Sequence, residues 1–215
     1  MTALDIYQVR PFDPEKDLEG ARKAFSEGFH HILWPLIEHA DGLVEDIILT
    51  FHHMGASTFV AEAEGEARGI LVGGLPFETA YFVKDVKLGV SLALRWLAGS
   101  RRSCARPFAR ACLRRVIIGY LPYEYRHPLT TSTETFLLTS QKEWRGGIGR
   151  VLMDAWIEES RARGYARSTV CTDSQLSWDF YERYGFKRVR EFQSSAYYYS
   201  LPGEDVSGYI YSLDI

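Results

Sequence analysis

Cysteine is scarce in this chain of 215 residues, and Cys104, Cys112 and Cys171 form no CxxC pair. Such usage argues against a disulfide framework and favours a reducing, cytoplasmic environment. The first 17 residues are too polar for a signal peptide. The most apolar stretch, residues 88–99, is too short to span a bilayer and contains Arg95. We therefore expect a cytoplasmic protein without stable membrane insertion.

Excess positive charge is also missing. The net charge is −3, so the composition makes no case for nucleic-acid binding. The six histidines show no H-E-x-x-H or comparable spacing, and we expect no metal site. There is no internal repeat or low-complexity segment. Length and an apolar content of 46% fit one globular domain over residues 1–215.

Strand and helix patterns alternate over the first third of the chain. Residues 6–10 alternate like a strand, and Asp13 followed by Pro14 is typical of a helix start. A second helix is expected from about residue 35 to 54. Residues 57–74 predict two strands joined by a turn at Glu64 and Gly65.

The alternation resumes at residue 133. We expect a strand over 133–140, a helix over 149–164 ended by Gly164, and a strand over 166–172. A short helix capped by Asp173 or Ser174 should follow and end at Gly185. Two strands, 186–192 and 195–201, complete the pattern as an antiparallel pair. This order predicts an α/β or α+β sheet with helices packed on it.

Three glycines and two arginines lie at the start of the helix expected at 149–164. Gly146, Gly147 and Gly149 would let the backbone approach a ligand closely, while unpaired N–H groups at a helix start favour an anion. Arg145 and Arg150, disfavoured at the positive end of a helix dipole, would then flank a polyanion. The alternative is a tight turn that needs glycine only for its backbone angles.

The segments WRGGIGRVLMDAWIEESRARG, STVCTD and SWDFYERYGFKRVREF resemble the GNAT (Gcn5-related N-acetyltransferase) family. Residues 147–149 match the G-x-G of its pyrophosphate turn, and residues 181–186 match its Y-E-x-x-G-F signature. The resemblance covers about 133–200 closely and 1–74 loosely. It implies a mixed, mostly antiparallel central sheet flanked by helices, with residues 76–132 inserted between the third and fourth strands.

The resemblance also implies a site for acetyl-CoA in a V between the fourth and fifth strands. Backbone groups of Leu138 and Thr139 would hold the pantetheine arm, and Ser174 stands where the family often has asparagine. The family's Gln or Arg falls on Trp144 in strict register, with Arg145 one place later. The pyrophosphate turn would comprise Trp144, Arg145, Gly146, Gly147, Ile148, Gly149 and Arg150.

The implied reaction is direct attack of a neutral amine on the thioester, which needs a general base and a proton donor. Tyr181 takes the family's donor position, with Tyr184 as its neighbouring competitor. Glu134 is the candidate base, Thr133 takes its place in strict register, and Glu124 and His127 are rivals.

The implied function is an acetyl-CoA-dependent N-acetyltransferase acting on a small or peptide amine. The alternatives are an acyl-CoA-binding module without chemistry and a transferase for a longer acyl group. The insertion predicts two helices, about 80–98 and 104–120, and Arg106, Arg110 and Arg114 form a stripe on the second. We expect a solvated face there, and the alternatives are a surface for an acidic substrate, for the 3′-phosphate of CoA or for an anionic membrane. The two helices would form a lid or an oligomer contact that would permit a homodimer.

Overall fold

The computed structural model describes residues 6–29, 43–75, 132–144, 146–193 and 207–215. Several predictions therefore lie outside the described residues: the insertion helices with their arginine stripe, the first part of the second helix, the strand at 195–201, Arg145, Glu124 and His127.

The described residues contain seven strands and four α-helices. The strands are β1 (Gln8–Pro11), β2 (Ser57–Ala63), β3 (Glu66–Gly74), β4 (Ser132–Ser140), β5 (Arg167–Asp173), β6 (Lys187–Gln193) and β7 (Ser207–Asp214). The helices are α1 (Pro14–Gly28), α2 (Leu43–Met54), α3 (Ile148–Ala162) and α4 (Trp178–Tyr184). A short 3-10 helix over Lys142–Trp144 follows β4.

The strands form one sheet in the order β1-β2-β3-β4-β5-β7-β6. All neighbouring pairs are antiparallel except β4 and β5, which run parallel. Helices α1 and α2 pack on one face and α3 on the other. The expected mixed, mostly antiparallel sheet flanked by helices is confirmed.

Local signals explain two of the helix ends. The Asp13 side chain accepts a hydrogen bond from the Glu15 amide, and Pro14 follows at the first helical position, as predicted. Gly185 ends α4 with a φ of 119°, where a side chain would be strained.

The predicted cap of α4 is wrong. The helix starts at Trp178, with Ser177 at the cap position. Asp173 instead accepts a hydrogen bond from the Gln175 amide, which forms a turn before the helix. The backbone amide of Ser174 donates to the Ser207 carbonyl and so continues the strand pairing.

The antiparallel partner of β6 is β7, a segment that the sequence analysis left without an assignment. Strand β7 also pairs with the whole length of β5, from Arg167 opposite Asp214 to Asp173 opposite Gly208. Tyr209 and Tyr211 face one side of the sheet and Ile210 the other, and all three are buried. A strand buried on both faces lacks the polar alternation that marks a half-exposed strand.

The sheet separates two large cores, and a small third cluster contains Cys171 and Ile210. The α1–α2 core contains only aliphatic residues, phenylalanine and alanine among its fully buried members: Phe12, Ala21, Phe25, Val44, Ile47, Ile48, Val60, Ala67, Ile70, Val72 and Leu137. The α3–α4 core contains tyrosine and tryptophan: Ala61, Leu71, Ile148, Leu152, Met153, Trp156, Ile157, Val170, Tyr181, Phe186, Tyr209 and Tyr211.

Candidate functional site

Strands β4 and β5 pair over only part of their length. Their register runs from Ser132 opposite Arg167 to Thr135 opposite Val170, and then stops. Beyond that point β4 continues on β3 as far as Ser140, while β5 continues on β7 as far as Asp173. Because the two strands pair with different partners beyond this point, they diverge. A V-shaped opening therefore lies between their carboxyl-terminal halves.

A bulge in β4 stands at the apex of this opening. Leu137 lies opposite Val72 and Thr135 opposite Gly73, so Phe136 is an extra residue on β4. The bulge shifts the alternation of side chains along the strand. Leu138 therefore packs in the α3–α4 core, while the Thr139 hydroxyl donates to the Ala24 carbonyl on α1, at 2.9 Å.

The glycine turn lies where β4 leads into α3. Gly147 takes the cap position with a φ of 98° and no side-chain cap. The first helical hydrogen bond runs from the Arg150 amide to the Gly147 carbonyl, at 2.9 Å. The amides of Ile148 and Gly149 come before that bond, in the part of a helix that attracts anions.

The three glycines of the turn serve different purposes. Gly147 has the left-handed backbone that side chains rarely adopt. A Cβ on Gly149 would lie 3.3 Å from the Phe180 ring, so this glycine lets α3 approach α4. A Cβ on Gly146 would meet nothing within 4 Å among the described residues. Neither packing there nor a positive φ accounts for Gly146.

Arg150 stands on the first turn of α3 with 62% of its side chain exposed. Its Nε lies 3.9 Å from Asp154, and its guanidinium lies 5.8 Å from the centre of the Tyr184 ring. Exposed pairs of this kind contribute little to stability. The side chain can therefore reach an anion at the turn at small cost.

Trp144 ends the 3-10 helix and is packed rather than solvated. Its carbonyl accepts a hydrogen bond from the Tyr7 hydroxyl at 2.9 Å, and the two rings meet edge to face. The Arg68 guanidinium lies 4.8 Å from the centre of the indole ring. The indole thus lies in contact with residues from before β1 and from β3.

Tyr181 and Tyr184 occupy different environments on α4. Tyr181 is 8% exposed, and its ring contacts those of Phe180, Phe186 and Tyr211. The Tyr184 hydroxyl donates to Asp154 at 2.6 Å, and burial together with this bond raises the pKa of Tyr184. A phenol that is hydrogen-bonded to a carboxylate and has a raised pKa is a poor proton donor. This favours Tyr181 over Tyr184 as the candidate donor.

Glu134 and Thr133 lie on opposite faces of the sheet. The Thr133 hydroxyl lies 3.2 Å from that of Ser160 on α3, and Thr135 on the same face approaches Met153. Glu134 therefore faces the side of α1 and α2, where it is 2% exposed. It stands one residue before the last pair of β4 and β5.

Sequence reasoning missed three residues that shape this region. Gln141 is 1% exposed and donates to the carbonyls of Gly20 and Ala67. Tyr7 holds the Trp144 carbonyl, and Glu182 accepts from Tyr211 and Arg188. Only Glu182 had a signal, as the second residue of the Y-E-x-x-G-F signature. Ser174 is exposed in the turn before α4.

No metal cluster occurs in the part of the chain that the structure describes. The His52 ring packs edge to face against Phe12, and its Nδ1 lies 2.8 Å from the Thr58 hydroxyl. Burial lowers its pKa, with a smaller effect from the neighbouring His53. Among the described helices, none has the length and apolarity needed to cross a membrane.

Many solved structures share this fold. An N-acetyltransferase from Staphylococcus aureus Mu50 is 15% identical with a TM-score of 0.58, covering 97% of this chain and 98% of its own. Ard1 from Thermoplasma volcanium is 16% identical with a TM-score of 0.56, covering 98% of both chains. The ribosomal-protein-S18-alanine N-acetyltransferase from Escherichia coli is 12% identical with a TM-score of 0.53. The match covers 97% of this chain and 94% of that protein.

Identities this low show the fold alone. A search of curated proteins finds no match. The family model described as "Acetyltransferase (GNAT) family" matches residues 77–186, just over half of the chain. That span includes β4, the glycine turn, α3, β5 and the Y-E-x-x-G-F signature. The chain therefore belongs to the GNAT acetyltransferase family.

Proposed function

We propose that the protein transfers an acetyl group from acetyl-CoA to a primary amine of a small molecule or peptide. The supporting observation is the opening between β4 and β5, with the glycine turn and the start of α3 at its end. An unpaired strand edge offers backbone groups to an extended ligand arm, and a helix start offers amides to an anion.

The residues present fit acetyl-CoA. Gly146 leaves open space at the turn, the amides of Ile148 and Gly149 begin the helix, and Arg150 is exposed. These groups, with Arg145 and Trp144, would hold the pyrophosphate. Backbone groups of Leu138 and Thr139 would hold the pantetheine arm. When bound, acetyl-CoA supplies the acetyl group as a thioester.

The chain's own residues would supply the proton transfers. A lysine-like amine with a pKa of about 10.4 is almost wholly protonated at neutral pH, so a base must take its proton before it attacks. We assign Glu134 to that step, directly or through water. Tyr181 would donate a proton to the departing thiolate.

Calorimetric titration with acetyl-CoA tests the binding half of this proposal. Gly146→Glu should weaken binding about tenfold or more, because it adds a negative charge beside the pyrophosphate. Gly146→Ala is the matched control, since a Cβ there meets none of the described residues within 4 Å. Equal affinity of the glutamate and alanine variants would contradict the proposed turn, and no binding by the wild type would overturn the proposal.

A panel of amines tests the transfer half. Tyr181→Phe should lower kcat by about 100-fold or more while acetyl-CoA affinity stays unchanged. Glu134→Gln should lower kcat most at neutral pH, where the amine is protonated. Acetyl-CoA binding without transfer to any amine would indicate an acyl-CoA-binding module. Faster transfer from longer acyl-CoAs would indicate a different acyl group.

A further inference from the structure

Tyr7 and Trp144 join the start of the chain to the glycine turn. The Tyr7 hydroxyl donates to the Trp144 carbonyl at 2.9 Å, and the ring centres lie 6.3 Å apart in an edge-to-face arrangement. Burial raises the pKa of Tyr7, so the hydroxyl keeps its proton at neutral pH and acts as a donor. The contact spans 137 positions of sequence, so it forms only in the folded chain.

Arg68 covers the same indole from β3. Its guanidinium lies 4.8 Å from the ring centre, within the range of a cation–π contact. One of its nitrogens lies 2.8 Å from Glu66, and the same nitrogen donates to the Gln141 side chain at 3.3 Å. The Arg68 side chain is only 13% exposed, whereas the Glu66 side chain is 68% exposed.

Gln141 fixes the other end of the 3-10 helix. The backbone N–H of Gln141 donates to the Arg68 carbonyl at 2.9 Å, and its backbone carbonyl accepts from the backbone N–H of Trp144 at 3.1 Å. Its buried side chain donates to the Ala67 carbonyl at 3.1 Å. The 3-10 helix is therefore held at both ends, at Gln141 and at Trp144.

We propose that Tyr7 is a positioning residue for the diphosphate of acetyl-CoA. It acts through Trp144, whose indole also contacts Arg68. We call these three residues the Tyr7–Trp144–Arg68 anchor. The anchor holds Trp144, and through it the turn at residues 146–149, in the binding conformation before the ligand arrives. Binding then loses less conformational entropy, and the affinity rises. This inference rests on the proposed function.

Tyr7→Phe is the test, because it keeps the ring and removes the donor. Its affinity for acetyl-CoA should fall about 3- to 10-fold, the effect of one neutral hydrogen bond. Its affinity for S-acetylpantetheine, which lacks the diphosphate, should stay unchanged in an NMR titration at millimolar concentrations. With any amine that the wild type acetylates, KM for acetyl-CoA should rise while kcat stays the same.

Hydrogen exchange of the free protein supplies a second measurement. The hydrogen-bonded amides of Trp144, Arg150 and Val151 should exchange about 3- to 10-fold faster in Tyr7→Phe, the effect of losing one neutral hydrogen bond. Tyr165→Phe, beyond the far end of α3, is the control and should change neither affinity nor exchange. Unchanged acetyl-CoA affinity, or equal losses for both ligands, would overturn the inference. Failure of the wild type to bind acetyl-CoA would instead overturn the proposed function, and exchange would still report whether the anchor holds the turn.

Discussion

The two cores of the sheet differ in chemistry as well as in position. The α1–α2 core is built from aliphatic residues, alanine and phenylalanine, so its fully buried members carry no side-chain donor or acceptor. The α3–α4 core contains Trp156, Tyr181, Tyr209 and Tyr211. Aromatic side chains with a polar end can pack and direct a hydrogen bond at the same time.

The hydroxyl groups on the α3–α4 side join separate elements. Tyr7 donates to the Trp144 carbonyl, Tyr184 joins α4 to Asp154 on α3, and Tyr211 joins β7 to Glu182 on α4. The α1–α2 side relies on packing, on an ion-pair group at its edge, and on bonds from Thr139 and Gln141 to backbone carbonyls of α1. The comparison indicates that one side mainly stabilises the sheet and the other also orients the candidate site.

A pair of core truncations gives the largest expected effect. Ile48→Ala in the α1–α2 core and Leu152→Ala in the α3–α4 core each remove a fully buried side chain. Each should lower the free energy of unfolding by about 2–5 kcal/mol in urea titrations. Acetyl-CoA affinity should fall clearly only in Leu152→Ala, because α3 carries the turn. Equal losses of affinity would remove the distinction between the cores.

The ion-pair group of the α1–α2 side predicts a pH effect. Asp17 is 1% exposed and accepts two hydrogen bonds from Arg10, each 2.6 Å long. Burial alone would raise the pKa of Asp17, but the bonds from Arg10 and the Asp13 amide outweigh it and lower the pKa.

Asp17→Asn should therefore cost about 1.5–3 kcal/mol near neutral pH. A lowered folded-state pKa gives stability that is present above the unfolded value of about 4 and is lost as pH falls through the folded value. The difference between wild type and variant should shrink below about pH 4. A difference that stays constant down to pH 2 would contradict this, and acetyl-CoA affinity at pH 7 should not change.

Tyr211→Phe removes one hydroxyl from the α3–α4 side. The Tyr211 hydroxyl donates to Glu182 at 2.9 Å. Burial, and to a smaller extent this bond, raises the pKa of Tyr211 to about 12. The variant should lose about 1 kcal/mol of stability at pH 7.

The raised pKa sets the pH range of this loss. Its stabilisation is present below about pH 10 and is lost as pH rises towards 12. Denaturant titrations at pH 7, 10 and 12 should show the variant and wild type converging at the highest pH. A smaller kcat in the variant would also indicate that Tyr211, stacked on Tyr181, helps to orient it.

A surface pair on α4 should have the smallest effect. Arg183 pairs with Asp179 one turn earlier, and both side chains are at least half exposed. Arg183→Ala should change the free energy of unfolding by about 0.5 kcal/mol or less and leave acetyl-CoA affinity unaltered. A loss of affinity here would show that the whole α3–α4 side, and not its buried hydroxyls, controls the site.

Prediction from the sequence succeeded where the signal was local. Asp13 with Pro14, the turn at Glu64 and Gly65, and Gly185 at the end of α4 each follow from the conformational preferences of one or two residues. Prediction was wrong at the start of α4, because Asp173 can cap a turn as readily as a helix. It missed β7, whose two buried faces give no polar alternation.

The sequence by itself determined the order of most elements, the glycine turn before α3 and the family signature, because these depend on spacing and on backbone preferences. Only the tertiary structure decided that β4 and β5 separate after four pairs, since that depends on which partner each strand keeps. It also decided which glycine leaves open space and which face Glu134 takes. The contact of Tyr7 with Trp144 joins distant positions, and no local preference encodes such a contact.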